Sequence, residues 1–182
     1  MNSWLRFPRL MVLMLAALVT VLVVVSGAVW LGDRRAAEQV GLQGEPMTDV
    51  QATGQVLASA RQIVGTAHLL DATGGYAFVS CKNANEPPYQ VAAYLNFRLP
   101  RTNAVKYLRD VAASMTAHGW TTAPAMGEHF GQKLTKDGVT AIFYPNGAGA
   151  DFATLRLYGQ CRNIADHRND NPVWREVTGQ LG

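Results

Sequence analysis

The chain has 182 residues, enough for one ordinary domain with a short extension, and 48% of them are hydrophobic. Its 16 lysines and arginines outnumber 13 acids, but two of the basic residues precede an apolar block near the N-terminus, which leaves 14 against 13 after it. A nearly neutral domain lacks the basic footprint of a nucleic-acid-binding protein, so nucleic acid is not an expected partner.

The apolar block runs over residues 10–31 and contains no charged residue. At about 1.5 Å per residue, a helix of this length crosses the roughly 30 Å hydrocarbon core of a bilayer. Such a helix satisfies its backbone hydrogen bonds internally, as lipid requires. We therefore predict a transmembrane anchor over 10–31 that follows a cytoplasmic N-terminus of residues 1–9 and has membrane lipid as its partner.

A cleaved signal peptide is the competing interpretation of the same block. Arg6 and Arg9 supply a charged start, and residues 26–28 are small, as at a cleavage site. The apolar run exceeds the roughly 7–15 residues of a signal-peptide core, which favours retention as a signal-anchor. No cysteine follows directly after the run, which excludes lipidation of a cysteine at that point.

Orientation depends on the cysteines, because two arginines stand on each side of the apolar block and the charge rule is nearly tied. The two cysteines, Cys81 and Cys161, each end a strand-like run. An even number suits a disulfide in an extracytoplasmic domain, whereas buried free thiols in a cytosolic domain are the alternative. We predict the disulfide, and with it a single-pass protein of the cell membrane whose C-terminal domain is extracytoplasmic.

The elements after the anchor follow in chain order. Residues 32–46 are polar and predict a juxtamembrane linker, and residues 47–182 form the domain. A helix capped by Thr48 or Asp49 ends near Gly65. Aromatic and β-favouring residues at 76–81 and 91–99 predict a hairpin, and residues 103–118 carry the spacing of an amphipathic helix.

The second half of the domain has strand signals. Residues 130–135 alternate in polarity, Asp137-Gly138 is a strong hairpin turn, and strands are predicted over 139–144 and 153–161. A short C-terminal helix is expected, with Asp170 or Asn171 as its cap and Pro172 in its first turn. The order α-β-β-α-β-β-β plus that helix predicts an α+β fold in which an antiparallel sheet carries helices on one face.

Motifs of known chemistry are absent from the sequence. The four histidines show no metal-ligand spacing, and neither a phosphate-binding glycine loop nor a nucleophile elbow occurs. We therefore assign no catalytic residue, no metal ligand and no cofactor.

Two groups of polar residues remain as candidate sites. The first is the cluster Asp166, His167, Arg168 and Asp170, which suits an anion or a partner, although such residues also make turns and surface salt bridges. The second is the basic patch Arg98, Arg101, Lys106 and Arg109, which suits an anionic surface such as lipid headgroups or wall polymer. A solvated helix face is the simpler interpretation of the basic patch.

Several segments of the domain have a joint resemblance to a known group of proteins. These segments are Gly75 to Cys81, Pro87 to Gln90, His118 to Trp120, Lys136 to Thr140 and Tyr158 to Arg162. Over about residues 70–182 the chain resembles uncharacterised membrane-anchored proteins of actinobacteria, including mycobacteria. The resemblance implies an extracytoplasmic, disulfide-bearing domain in a Gram-positive envelope and gives no catalytic residue.

The sequence therefore predicts a membrane-tethered binding or accessory module of the cell envelope, whose candidate partner is an envelope protein, lipid or wall polymer. The alternative is an envelope enzyme with an unfamiliar active site. A deep pocket with convergent polar groups would favour the enzyme. A shallow face with exposed apolar groups would favour the binding module.

Overall fold

The computed structural model describes residues 42, 44–82, 85–123, 132–146 and 151–182. The predicted anchor at 10–31 and all but the last residues of the predicted linker lie outside these ranges. No helix in the described ranges combines the length and apolar character needed to cross a bilayer.

Within the described ranges the chain forms two α-helices, seven strands and one 3-10 helix. In order they are α1 (Asp49–Thr66), β1 (Leu70–Ser80), β2 (Tyr89–Arg98), α2 (Ala104–Ala117), β3 (Thr121–Ala123), β4 (Gln132–Lys136), β5 (Val139–Pro145), β6 (Phe152–Tyr158), β7 (Arg175–Glu176) and the 3-10 helix Thr178–Gln180.

Helix α1 begins where its capping signal predicts. The Thr48 hydroxyl accepts a hydrogen bond from the Gln51 amide, and the Gln51 side chain accepts one from the Thr48 amide, which forms a capping box. The helix ends at Thr66, one residue after the predicted stop at Gly65. Its buried side includes Val56 and Ile63, which pack on the sheet.

All seven strands belong to one antiparallel sheet of order β3-β4-β5-β6-β2-β1-β7. The predicted β1-β2 hairpin is confirmed, and so is the β4-β5 hairpin at Asp137-Gly138, where both residues have positive φ. Successive side chains point to opposite faces of each strand, so the register assigns every strand residue to an inner or an outer face.

The inner face is covered by both helices, which confirms the predicted α+β fold with helices on one face. One cross-strand row of this face is Leu134, Ala141, Leu157, Ala93 and Tyr76. These five side chains belong to one core with the apolar sides of α1 and α2, and that core also buries Trp120. The indole Nε1 of Trp120 donates to Gln62 of α1 at 3.2 Å.

Two expectations about the elements were wrong. Residues 121–123 form a short strand against β4, which adds a strand to the predicted order. The predicted C-terminal helix is not formed: residues 175–176 pair with β1, and only 178–180 make a turn of 3-10 helix. The free backbone edge of β1 accounts for this, because the Val177 amide donates to the Gly74 carbonyl at 2.9 Å and so cannot serve a helix.

The predicted disulfide is confirmed between Cys81 and Cys161, whose Cα atoms are 6.0 Å apart. The cysteines follow the ends of β1 and β6. These strands are not neighbours in the sheet, because β2 lies between them. The bond therefore ties together the two strands that flank the start of β2.

Candidate functional site

The outer face of the sheet, opposite the helices, carries the most distinctive chemistry of the domain. Its central cross-strand row reads Lys133, Ile142, Arg156, Tyr94 and Gly75 from β4 to β1. Three further aromatic side chains, Tyr144, Tyr158 and Trp174, lie around this row. We call Tyr94, Tyr144, Arg156, Tyr158 and Trp174 the outer-face cluster.

Aromatic rings of the cluster contact one another across strands. The Tyr94 ring centroid lies 6.3 Å from that of Tyr158, with the planes at 79°, and 6.1 Å from that of Trp174. The Tyr94–Tyr158 pair is edge-to-face, an arrangement that stabilises by about 1 kcal/mol, whereas the Trp174 ring is tilted at 53° to the Tyr94 ring. The rings therefore form a connected platform rather than isolated exposed residues.

Trp174 is held on the platform by a close approach to the backbone. A Cβ atom at Gly75 would lie 2.7 Å from Cε2 of the indole, so only glycine leaves room for the ring there. The indole remains 42% exposed. A large, partly exposed aromatic surface of this kind is typical of a binding surface rather than of core packing.

Arg156 stands at the centre of the cluster. Its Cζ lies 5.3 Å from the Tyr94 centroid and 4.8 Å from the Tyr144 centroid, within the range of cation–π attraction. Its Nε atom is shielded from solvent and has no hydrogen-bond partner among the described residues. The arginine is thus fixed by aromatic rings and not by a carboxylate.

The environment of Tyr158 keeps its phenol neutral. Burial, together with a hydrogen bond to Tyr94, raises the pKa of Tyr158 to about 12, although the positive charge of Arg156 acts in the opposite direction. The two phenol oxygens lie 3.5 Å apart. At neutral pH the Tyr158 phenol therefore keeps its proton.

Sequence reasoning missed the outer-face cluster. The signal was the alternation along β2 and β6, where Tyr94 and Arg156 stand next to the buried Leu95 and Leu155. Aromatic residues in strands also reflect β propensity, so the pattern alone does not separate a binding face from ordinary strand formation.

The structure divides the predicted cluster at 166–170 between interior and surface. The His167 side chain is only 3% exposed and stacks on Phe78 with centroids 3.7 Å apart. Its Nδ1 lies 3.0 Å from Asp170 Oδ2, and its Nε2 lies 3.0 Å from Asn163 Oδ1. His167 therefore joins the C-terminal segment to the sheet from within.

Asn163, which sequence reasoning missed, is the centre of this buried network. Its Nδ2 donates to Asp49 at 2.7 Å and to the Met47 carbonyl at 3.3 Å, and its Oδ1 accepts from the Ala165 amide at 3.0 Å. Its Oδ1 also faces His167, and the residue is 1% exposed. The network links the start of α1 to the chain after β6, which indicates a structural role.

Asp166 and Arg168, in contrast, point to solvent and pair with each other at 2.6 Å. Hydrogen bonds from the Arg168 side chain and backbone lower the pKa of Asp166 to about 2. Exposed pairs of this kind contribute little to stability. The four residues predicted as one binding cluster therefore do not share a surface.

The predicted basic patch contains two cations that already have carboxylate partners. Arg98 pairs with Asp71 and Lys106 with Asp110, both at 2.6 Å. Arg101 and Arg109 are exposed. The two pairs reduce the positive charge that this patch would offer to an anionic surface, and its role stays a prediction.

In the part of the chain that the structure describes, no group of three or more His, Cys, Asp or Glu side chains is placed to hold a metal ion. Among these residues, the outer face therefore offers aromatic rings and a cation to a ligand, whereas the hydrogen bonds around Asn163 hold the fold together.

Comparison with known proteins agrees with the resemblance found in the sequence. The family model described as "Putative lipoprotein LppJ" matches residues 48–180. Proteins of that name from two strains of Mycobacterium tuberculosis and from Mycobacterium bovis are 37% identical over 137 residues, which cover 75% of this chain and 72% of each relative. No solved structure matches the chain. The chain therefore belongs to the mycobacterial family described as "Putative lipoprotein LppJ".

Proposed function

We propose that the protein is a membrane-tethered, extracytoplasmic binding module of the cell envelope, and that the outer-face cluster is its binding surface. The observation that carries the proposal is this set of connected aromatic rings around Arg156. A partly exposed aromatic surface with a central cation suits recognition of a partner.

The tether is proposed from the sequence and from the family. The relatives are described by the name "Putative lipoprotein LppJ". A lipid carried on cysteine needs a free thiol, and both cysteines of these 182 residues are joined to each other. We therefore propose the apolar segment 10–31 as the membrane anchor in this chain.

The disulfide supports the extracytoplasmic side, because such bonds persist in oxidising compartments. Residues 32–46 would then serve as a linker that holds the domain near the membrane surface. In this position the domain is accessible to envelope components.

Site-specific photocrosslinking in native membranes tests the binding surface. A benzophenone amino acid replaces Trp174 on the outer face in one variant, and Val105, a 72% exposed residue of α2, in the matched control. We expect reproducible adducts from position 174 and few from position 105, because only the first lies on the proposed surface. Equal adduct yields at both positions, or none at 174, would contradict the proposal.

A further inference from the structure

The ligand class of the outer face follows from its charge. Strands β2, β4, β5 and β6 contain no aspartate or glutamate, and they carry the cations Arg98, Lys133, Lys136 and Arg156, of which Lys136 lies on the inner face. At the edge of the outer face, Glu176 of β7 lies beside Gly75, and its carboxylate accepts a hydrogen bond from the Thr178 amide. A face of this composition attracts anions.

The four cations differ in whether their charged groups are available to a ligand. Arg98 is paired with Asp71, and Lys136 turns to the inner side, where its Nζ donates to Gln62 and to the His118 carbonyl. Arg156 makes no ion pair with any carboxylate of the described residues, and it shares an outer-face row with Lys133. One strand separates these two, so their backbones are roughly 10 Å apart.

The aromatic rings restrict the class of anion. The partly exposed Trp174 ring lies beside the Tyr94 ring, and the Arg156 guanidinium lies over the Tyr94 ring. The C–H faces of sugar rings pack on such aromatic surfaces, and sugar hydroxyls form hydrogen bonds with tyrosine hydroxyls. A guanidinium binds a carboxylate or phosphate group in a two-point geometry.

We infer that the outer face binds an acidic glycan: a sugar ring stacks on Trp174 and Tyr94, and its carboxylate or phosphate group meets Arg156. This inference rests on the proposed function and adds the ligand class to it. A neutral glycan would leave the charge of Arg156 unmatched. A single-stranded nucleic acid offers stacking and charge as well, and it is the competing ligand that the experiment must separate.

Binding by the full-length chain in detergent micelles tests the inference. The probes are an oligogalacturonate, a neutral maltooligosaccharide of equal length and an oligothymidylate. We expect the acidic sugar to bind, with an affinity that falls as salt rises, and to bind more tightly than the other two probes.

Three variants test which residues contribute to oligogalacturonate binding. Arg156→Gln should weaken oligogalacturonate binding by roughly tenfold, because it removes a charge-assisted contact. Trp174→Ala should weaken it by roughly fivefold through lost stacking. Arg61→Gln, which removes the same charge from an exposed position on α1, should leave binding unchanged. Near-ultraviolet circular dichroism of each variant shows that the fold is retained.

Equal binding of neutral and acidic sugars, tighter binding of oligothymidylate, or equal losses in Arg156→Gln and Arg61→Gln would each overturn the inference. Absence of oligogalacturonate binding together with crosslinks at position 174 would also overturn it, and in that case the binding module stands with a different partner. Absence of both would remove the proposed function itself.

Discussion

Replacing both Cys81 and Cys161 by serine should lower the free energy of unfolding by about 4 kcal/mol, the largest effect that we expect from any change in the domain. The crosslink joins residues 80 apart in sequence, and a loop of that length carries a large closure entropy in the unfolded chain. Loss of the bond releases this entropy to the unfolded state.

Thermal unfolding of the full-length chain in detergent micelles measures the effect, with an expected fall in the midpoint of roughly 10–20 °C. Reduction of the wild type provides the control, since it should reproduce the midpoint of the double variant. The reductant should leave the double variant unchanged. If the double variant unfolds at the same midpoint as the oxidised wild type, the bond has no structural role.

Asn163→Ala should lower the free energy of unfolding by about 3 kcal/mol, the second largest effect that we expect. The change removes a buried side chain that bonds Asp49, the Met47 carbonyl, the Ala165 amide and His167. Each buried polar group that loses its partner costs about 1–3 kcal/mol, although part of this cost is recovered where water enters.

Two matched variants separate hydrogen bonding from loss of volume. Asn163→Asp keeps the shape but replaces the donor that faces Asp49 by an acceptor, so it should also destabilise the fold. Asn96→Ala, which removes an exposed asparagine bonded to Thr154, should cost less than about 1 kcal/mol. If Asn163→Ala unfolds at the same temperature as Asn96→Ala, the network does not hold α1 to the C-terminal segment.

The elements that sequence reasoning located correctly are those with local causes. The capping box at Thr48, the Asp137-Gly138 turn and the periodicity of residues 104–117 each act over a few residues. Such signals survive in the folded protein because tertiary contacts agree with them.

The C-terminal segment shows why other elements could not be predicted from the sequence. Pro172 and the spaced apolar residues Val177 and Leu181 fit a short helix, and both apolar residues are indeed buried. The segment instead pairs with β1, which lies about a hundred residues earlier in the chain. A free strand edge distant in sequence outweighs a local preference.

The spatial arrangement of the candidate-site residues could not be predicted from the sequence, for a related reason. Neighbouring residues in an extended segment point in opposite directions, so Asp166 and Arg168 face solvent while His167 is buried on Phe78. The outer-face cluster is assembled from three strands and the C-terminal segment by cross-strand register. One-dimensional patterns do not contain that register.

Reporter fusions show on which side of the membrane the domain lies. Alkaline phosphatase, which is active only outside the cytoplasm, and a reporter active only inside it are each fused after Gly182 of the full chain. Segment 10–31 and the Cys81–Cys161 bond predict an active phosphatase and a silent cytoplasmic reporter. Activity of the cytoplasmic reporter alone would show that the domain is not extracytoplasmic.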